Sequence, residues 1–150
     1  MTDPKIIREI AEERLAEAII LRDKGKYNGA FYLAGYAVEL ALKAKICDNF
    51  GFPNLFDEDD QSAITGIGEL RKAVKKHDLF VLLMFSGLKI KFDDAMANDK
   101  GFLRINSLLF KNWNESYRYK PCGFCKDYDV IEMIDLMTNA NNIMQWINRS

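Results

Sequence analysis

A chain of 150 residues with 49% hydrophobic and 29% charged side chains carries enough apolar material for one buried core, which excludes any need for disulfide or metal staples. Its formal net charge of −1 and pI near 5.9 exclude a global basic field, so nucleic-acid binding would rest on a local patch. Three cysteines, an odd number, exclude a simple disulfide framework, and the longest apolar run, "LFVLLMF", is far short of the ~20 residues of a membrane span.

The first residues, "MTDPKIIREIAEERLAEAII", mix charge and apolar groups at helical spacing instead of forming an apolar block. The expectation is therefore no cleavable leader, no membrane association, and one domain over residues 1–150 in a reduced, cytoplasmic protein. The first helix is predicted from about Pro4 to Lys24. Asp3 is its N-cap acceptor, Pro4 loses nothing by lacking an N–H, and Gly25 fits a C-cap. Ile7, Ala11, Ala18 and Leu21 lie on one face, with Arg14 breaking the stripe.

The second helix is predicted over Tyr27 to Phe50. Ala30, Ala34, Ala37, Ala41 and Ala44 recur at steps of four, three, four and three, a heptad written in the smallest good helix former. Leu33, Leu40, Val38, Phe31 and Leu42 flank the alanines, so the apolar arc is wide and this helix is expected at the centre. A narrow strip is left for Tyr32, Tyr36, Glu39 and Lys43.

"GFPNLFDEDDQS" reads as a loop, and "IGELRKAVKK" as a short helix with Leu70 and Val74 inward. "HDLFVLLMFSGL" is a third main helix, capped by His77 or Asp78 and apolar all round, hence buried. "GFLRINSLLFKNW" is a fourth, and "NESYRYKPCGFCKDYD" a connecting loop. Asp127 or Asp129 caps a fifth, running to about Asn148 with Val130, Ile134, Met137, Asn141 and Met144 on its face. Asn141 would fix register at a helix contact. Trp113, Trp146 and the methionines read as core or interface packing. No period-2 segment and no internal repeat is present, so the class is all-α: a four- to five-helix bundle with mostly up-and-down connections.

Gly25, Tyr27, Ala30, Tyr32, Leu33, Ala34, Ala37, Val38, Glu39, Leu40, Leu42, Lys43 and Ala44 together resemble the second helix of HEPN domains. Lys75, His77, Asp78, Leu79 and Leu82 are similar to a "K-x-H-D-L-x-x-L" helix start, and Arg118–Tyr119 to an "R-Y" before the final helix. The resemblance implies a helical bundle, a homodimer, prokaryotic cytoplasm and a nucleotidyltransferase-like partner protein. It implies two kinds of member: metal-independent ribonucleases of toxin–antitoxin or defence systems, and inactive members that bind nucleotides or partners.

Active members carry Arg, four to six residues, then His. His moves protons near neutral pH and Arg stabilises charge building on phosphorus. Arg71 and His77 have that spacing, but lie earlier in the chain than the family's motif. Arg118 sits where the motif belongs and has no following His. Arg71, His77 and Arg118 are the catalytic candidates, against a reading in which His77 and Asp78 only cap a helix. Arg71, Lys72, Lys75 and Lys76 share one side of a short helix and would meet phosphates, or else form a solvated face balanced by Asp57, Glu58, Asp59 and Asp60.

Tyr32, Tyr36, Glu39 and Lys43, with Tyr119, are the candidates for a nucleotide or partner surface; the alternative is a polar rim at a subunit interface. Glu39 and Lys43 form an i, i+4 pair in the favourable order. Cys122 and Cys125 have metal-knuckle spacing but supply only two ligands. Cys47 and His77 would complete a set of three thiolates and one imidazole, or a two-fold axis would bring two such pairs together as a four-thiolate set. A thioredoxin-like redox role lacks its βαβ context, and the expectation is no metal and no cofactor, with Cys122 and Cys125 in a reduced loop that has one partly buried thiol. The sequence favours a non-catalytic homodimeric module for a partner protein and a nucleotide; the alternative is an endoribonuclease.

Overall fold

The computed structural model describes residues 3–57, 59–60 and 64–150. Glu58 of the acidic run and Gln61 and Ser62 of the same loop lie outside the described residues. Helix α1, Pro4–Asp23, starts as its sequence dictates: Asp3 Oδ1 accepts from the Lys5 amide at 2.7 Å and Pro4 opens the first turn. It buries Ile7, Ala11, Leu15 and Ala18 and ends ahead of Gly25, which adopts φ 73°.

Helix α2, Tyr27–Phe50, stops at Gly51, also left-handed at φ 73°. All five stripe alanines are buried, and α1 lies along α2 as the most extensive helix pair. The small side chains permit this close approach. The volume they fail to fill is taken by Phe31, Leu40, Leu42 and Ile46, all buried. Gly35 admits the edge of Trp113: a Cβ there would lie 2.1 Å from the indole ring.

Helix α3 (Ile67–Val74), α4 (Leu79–Phe85), α5 (Lys89–Asn98) and α6 (Lys100–Ile105) follow; α6 widens into a π turn over Asn106–Phe110. A 3-10 turn at Glu115–Tyr119 precedes α7 (Asp127–Thr138) and α8 (Ile143–Arg149). Every helix contributes to one apolar cluster, and the described residues contain no strand. The fold is the expected all-α helical bundle.

Several expectations need correction. In α3, Ile67 and Val74 are buried and Leu70 only half-buried. Helix α4 is not buried all round: Leu79, Leu82 and Leu83 face inward while Met84 is 65% exposed. Its cap is Asp78, accepting from the Phe80 and Val81 amides at 2.9 and 3.2 Å; His77 is free of that duty.

Helix α5 has no apolar stripe to betray it. One residue, Phe92, anchors it against the rings of Phe102, Phe110 and Trp146. A Lys89–Asp93 pair at 2.6 Å braces its surface. The π turn inserts one residue, so Leu108, Leu109 and Phe110 are buried in succession.

The last helix is broken. Asn141 takes φ 57° at the surface instead of packing on a neighbour, and Asn142 then caps α8 by accepting from the Gln145 amide at 2.9 Å. Asparagine tolerates the left-handed region and is a strong N-cap, so "NANN" supplies both a break and a restart.

Candidate functional site

The polar strip of α2 forms the floor of the site. Glu39 is 1% and Lys43 7% exposed, so the pair is buried and not a solvated i, i+4 contact. Lys43 Nζ stands 3.5 Å from Glu39 Oε2 and 5.3 Å from the centre of the Phe56 ring. A carboxylate so deep must be satisfied. The second partner is His77, whose Nδ1 lies 2.7 Å from Glu39 Oε1. His77 comes within reach because Asp78 fixes the start of α4 immediately after it.

The other ring nitrogen, Nε2, lies 3.0 Å from Glu115 Oε2. Glu115 is held at the start of the 3-10 turn, where Asn114 Oδ1 accepts from the Ser116 amide at 2.8 Å. His77, half-exposed, thus bridges α2 to the 3-10 turn through two carboxylates.

On the Glu39 side of His77 opens a cavity of about 230 Å³, lined by Tyr36, Glu39, Lys43, Phe56, Arg71 and Lys75 among others. Arg71 does not aim at His77. Its guanidinium donates to the carbonyls of Leu55 and Asn54 at 3.1 and 3.0 Å and pairs with Asp60, which ties these three residues to α3. The basic cluster is accordingly divided: Arg71 faces inward while Lys72, Lys75 and Lys76 are exposed. On the Glu115 side, a second cavity of about 190 Å³ is lined by Lys76, Trp113 and Asn114.

Aromatic rings continue the strip along α2. Tyr36 and Tyr32 lie 6.3 Å apart and nearly parallel, and Tyr32 stacks on Trp113 at 6.1 Å. The Trp113 indole donates to the Tyr32 carbonyl at 3.1 Å. Burial, reinforced by Glu39 and Tyr32, pushes the Tyr36 hydroxyl above the ordinary phenol range, while Arg14 pulls it down. Hydrogen bonding to Tyr32, then to Tyr119, raises the Arg118 guanidinium further. Arg118 also sits over the Tyr119 ring at 4.9 Å, and Tyr119 is 76% exposed, away from the cavity.

The structure therefore gathers Tyr32, Tyr36, Glu39, Lys43, Arg71, His77 and Arg118 into one band, with Tyr119 against Arg118 at its exposed end. Glu115 and Phe56 complete the band and were missed. Phe56 left a faint trace, an apolar residue in a polar loop. Glu115 left none.

Cys122 and Cys125 stand elsewhere. Their loop is held by Asn28, at the opposite end of α2 from Cys47, roughly 28 Å away at 1.5 Å per residue. Glu39, which holds His77, is about 16 Å along the same axis. Cys47 and His77 therefore do not join the two loop cysteines in a four-ligand set, and no group of three or more metal-ligating side chains occurs among the described residues.

The molecule is thus a helical bundle whose central helix offers a buried acid–base pair and aromatic walls to a cavity. The HEPN domain family model matches residues 5–55, about a third of the chain. That span contains α1 and α2 and so the floor of the site; the Lys75–Leu82 and Arg118–Tyr119 likenesses fall outside it. Neither the curated proteins nor the solved structures gave a match. Among the described residues no helix is long and apolar enough to cross a membrane.

Proposed function

We propose that the chain is a non-catalytic, HEPN-like binding module. In this reading it acts as a single cytoplasmic domain, pairs as a homodimer, takes a nucleotide in the Tyr36–Lys43 cavity, and docks a nucleotidyltransferase-like partner. The observation that carries it is the His77 clasp. Nδ1 lies 2.7 Å from a Glu39 oxygen and Nε2 3.0 Å from a Glu115 oxygen, so both ring nitrogens are already engaged within the fold and neither is left open to a ribose hydroxyl. Arg71 lines the same cavity, but its guanidinium is engaged by the Leu55 and Asn54 carbonyls and by Asp60.

The cavity suits a flat, phosphate-bearing ligand. Tyr36 and Phe56 give aromatic faces, Lys43 a buried cation, and Lys75 a cation at the rim. The homodimer and the protein partner rest on the family likeness over residues 5–55.

One observation favours the ribonuclease reading. Arg118, tethered to Tyr32, stands on the same aromatic band that leads through Trp113 to the cavity beside His77.

Titration calorimetry with nucleoside mono- and triphosphates of the four bases tests the ligand assignment. One of them is expected to saturate one site per chain, and Lys43→Met and Tyr36→Ala to weaken it about tenfold or more, roughly 1.4 kcal/mol. Binding unaffected by either substitution, or no binding to the folded protein, refutes the assignment. Sedimentation equilibrium is expected to give twice the 17.3 kDa chain mass; a monomer at high concentration refutes the dimer.

A further inference from the structure

The Cys122–Cys125 turn is built more carefully than a connecting loop requires. The Phe124 amide donates to the Pro121 carbonyl at 3.2 Å, and Gly123 sits at φ 79°, where a side chain would be strained. The single carboxamide of Asn28 then holds both ends of the segment. Its Nδ2 donates to the Pro121 carbonyl, and its Oδ1 accepts from the Cys125 amide at 2.9 Å. One side-chain amide closes the segment from Pro121 to Cys125, so the two cysteines are carried on a folded loop pinned to α2.

The two thiols differ. Cys122 is exposed, while Cys125 is half-buried and lines a cavity of about 150 Å³ with Phe31, Tyr117 and Phe124. Burial raises the Cys125 thiol above its ordinary range. Lys120 and Lys126 are exposed on either side, Asp129 lines the cavity with Cys125 and Lys126, and Lys120 Nζ lies 5.1 Å from the centre of the Phe124 ring between the two cysteines. An exposed thiol and a shielded thiol three residues on, carried on one folded turn, are the arrangement of an attacking and a resolving cysteine. Cys47 is not part of it, being buried in the core at the far end of α2.

We propose that Cys122 and Cys125 are a redox-active dithiol that exchanges with low-molecular-weight disulfides such as oxidised glutathione. The Cys122 thiolate attacks one sulfur of the oxidant, forming a mixed disulfide and releasing one glutathione thiolate. The Cys125 thiolate then attacks Cys122 Sγ, closing the intramolecular disulfide and releasing the second. Each protein thiol gives its proton to a departing glutathione, so one oxidised glutathione becomes two reduced ones. Closure would lock the loop that leads out of the Tyr117–Arg118 turn, so this thiol chemistry is a regulatory handle independent of the nucleotide assignment.

The test equilibrates the full-length chain in glutathione buffers of graded ratio, quenches with acid, alkylates, and maps peptides by mass. The expected product is a 122–125 disulfide, reversed by dithiothreitol, with Cys47 alkylated only after unfolding. Cys125→Ser is expected to accumulate the mixed disulfide on Cys122 by roughly tenfold or more over wild type, because its resolving thiol is gone. Cys122→Ser is expected to form neither product, with circular dichroism checking that both variants remain helical. Thiols that stay reduced in the most oxidising buffer, a mixed disulfide that wild type never resolves, or crosslinks between chains overturn the proposal.

Discussion

At Gly35 a single added methyl group meets the largest side chain of the core. The Cβ of any other residue would stand 2.1 Å from the Trp113 indole, which is buried, bonded to the Tyr32 carbonyl and stacked on the Tyr32 ring. Gly35→Ala must push the indole out or bend α2. Overpacking of this kind is expected to cost about 1–3 kcal/mol in urea unfolding, with a change in Trp fluorescence. Cys47 gives a prediction in pH. Burial, with Asp48 adding, pushes its thiol from 9.0 up to about 11. Below pH 9 folded and unfolded chains hold the proton alike. Between 9 and 11 the unfolded chain loses it first, so stability falls as pH rises through that window. Cys47→Ala is expected to flatten this part of the profile of unfolding midpoint against pH. Tyr36, raised in the same direction, contributes to the decline further into alkali.

Within α2 the buried charges set the energetics. Glu39→Leu strips Lys43 of its carboxylate while leaving the ammonium buried, a change expected to cost about 3–5 kcal/mol. Adding Lys43→Met removes the orphaned charge, so the double variant is expected to be more stable than Glu39→Leu alone. Denaturant midpoints of the four members of the cycle check the order. The same helix shows what a sequence reveals. Its limits, Tyr27 and Phe50, and those of α1 were legible because caps and periodicity agreed: Asp3–Pro4 at one end, Gly25 and Gly51 at the others. Helix α5 was illegible because one phenylalanine carries its packing. The break at Asn141 was hidden because Val130, Ile134, Met137 and Met144 are buried on both sides of it, so the apolar pattern runs straight through.

Across the whole molecule the same rule divides the site. Tyr32, Tyr36, Glu39 and Lys43 share one helix, and their common face follows from 3.6 residues per turn. Glu115 is 76 residues from Glu39, and only the folded chain brings both to His77. That contact also separates the two functional readings, because Arg71 and His77 have the spacing of a catalytic pair but not its geometry. The direct test incubates the purified protein, at high concentration, with total tRNA in EDTA, beside His77→Ala and Arg118→Ala. A binding module leaves the tRNA intact in all three reactions. Cleavage by the wild type that either substitution abolishes would show that His77 or Arg118 acts in catalysis, and would contradict the module.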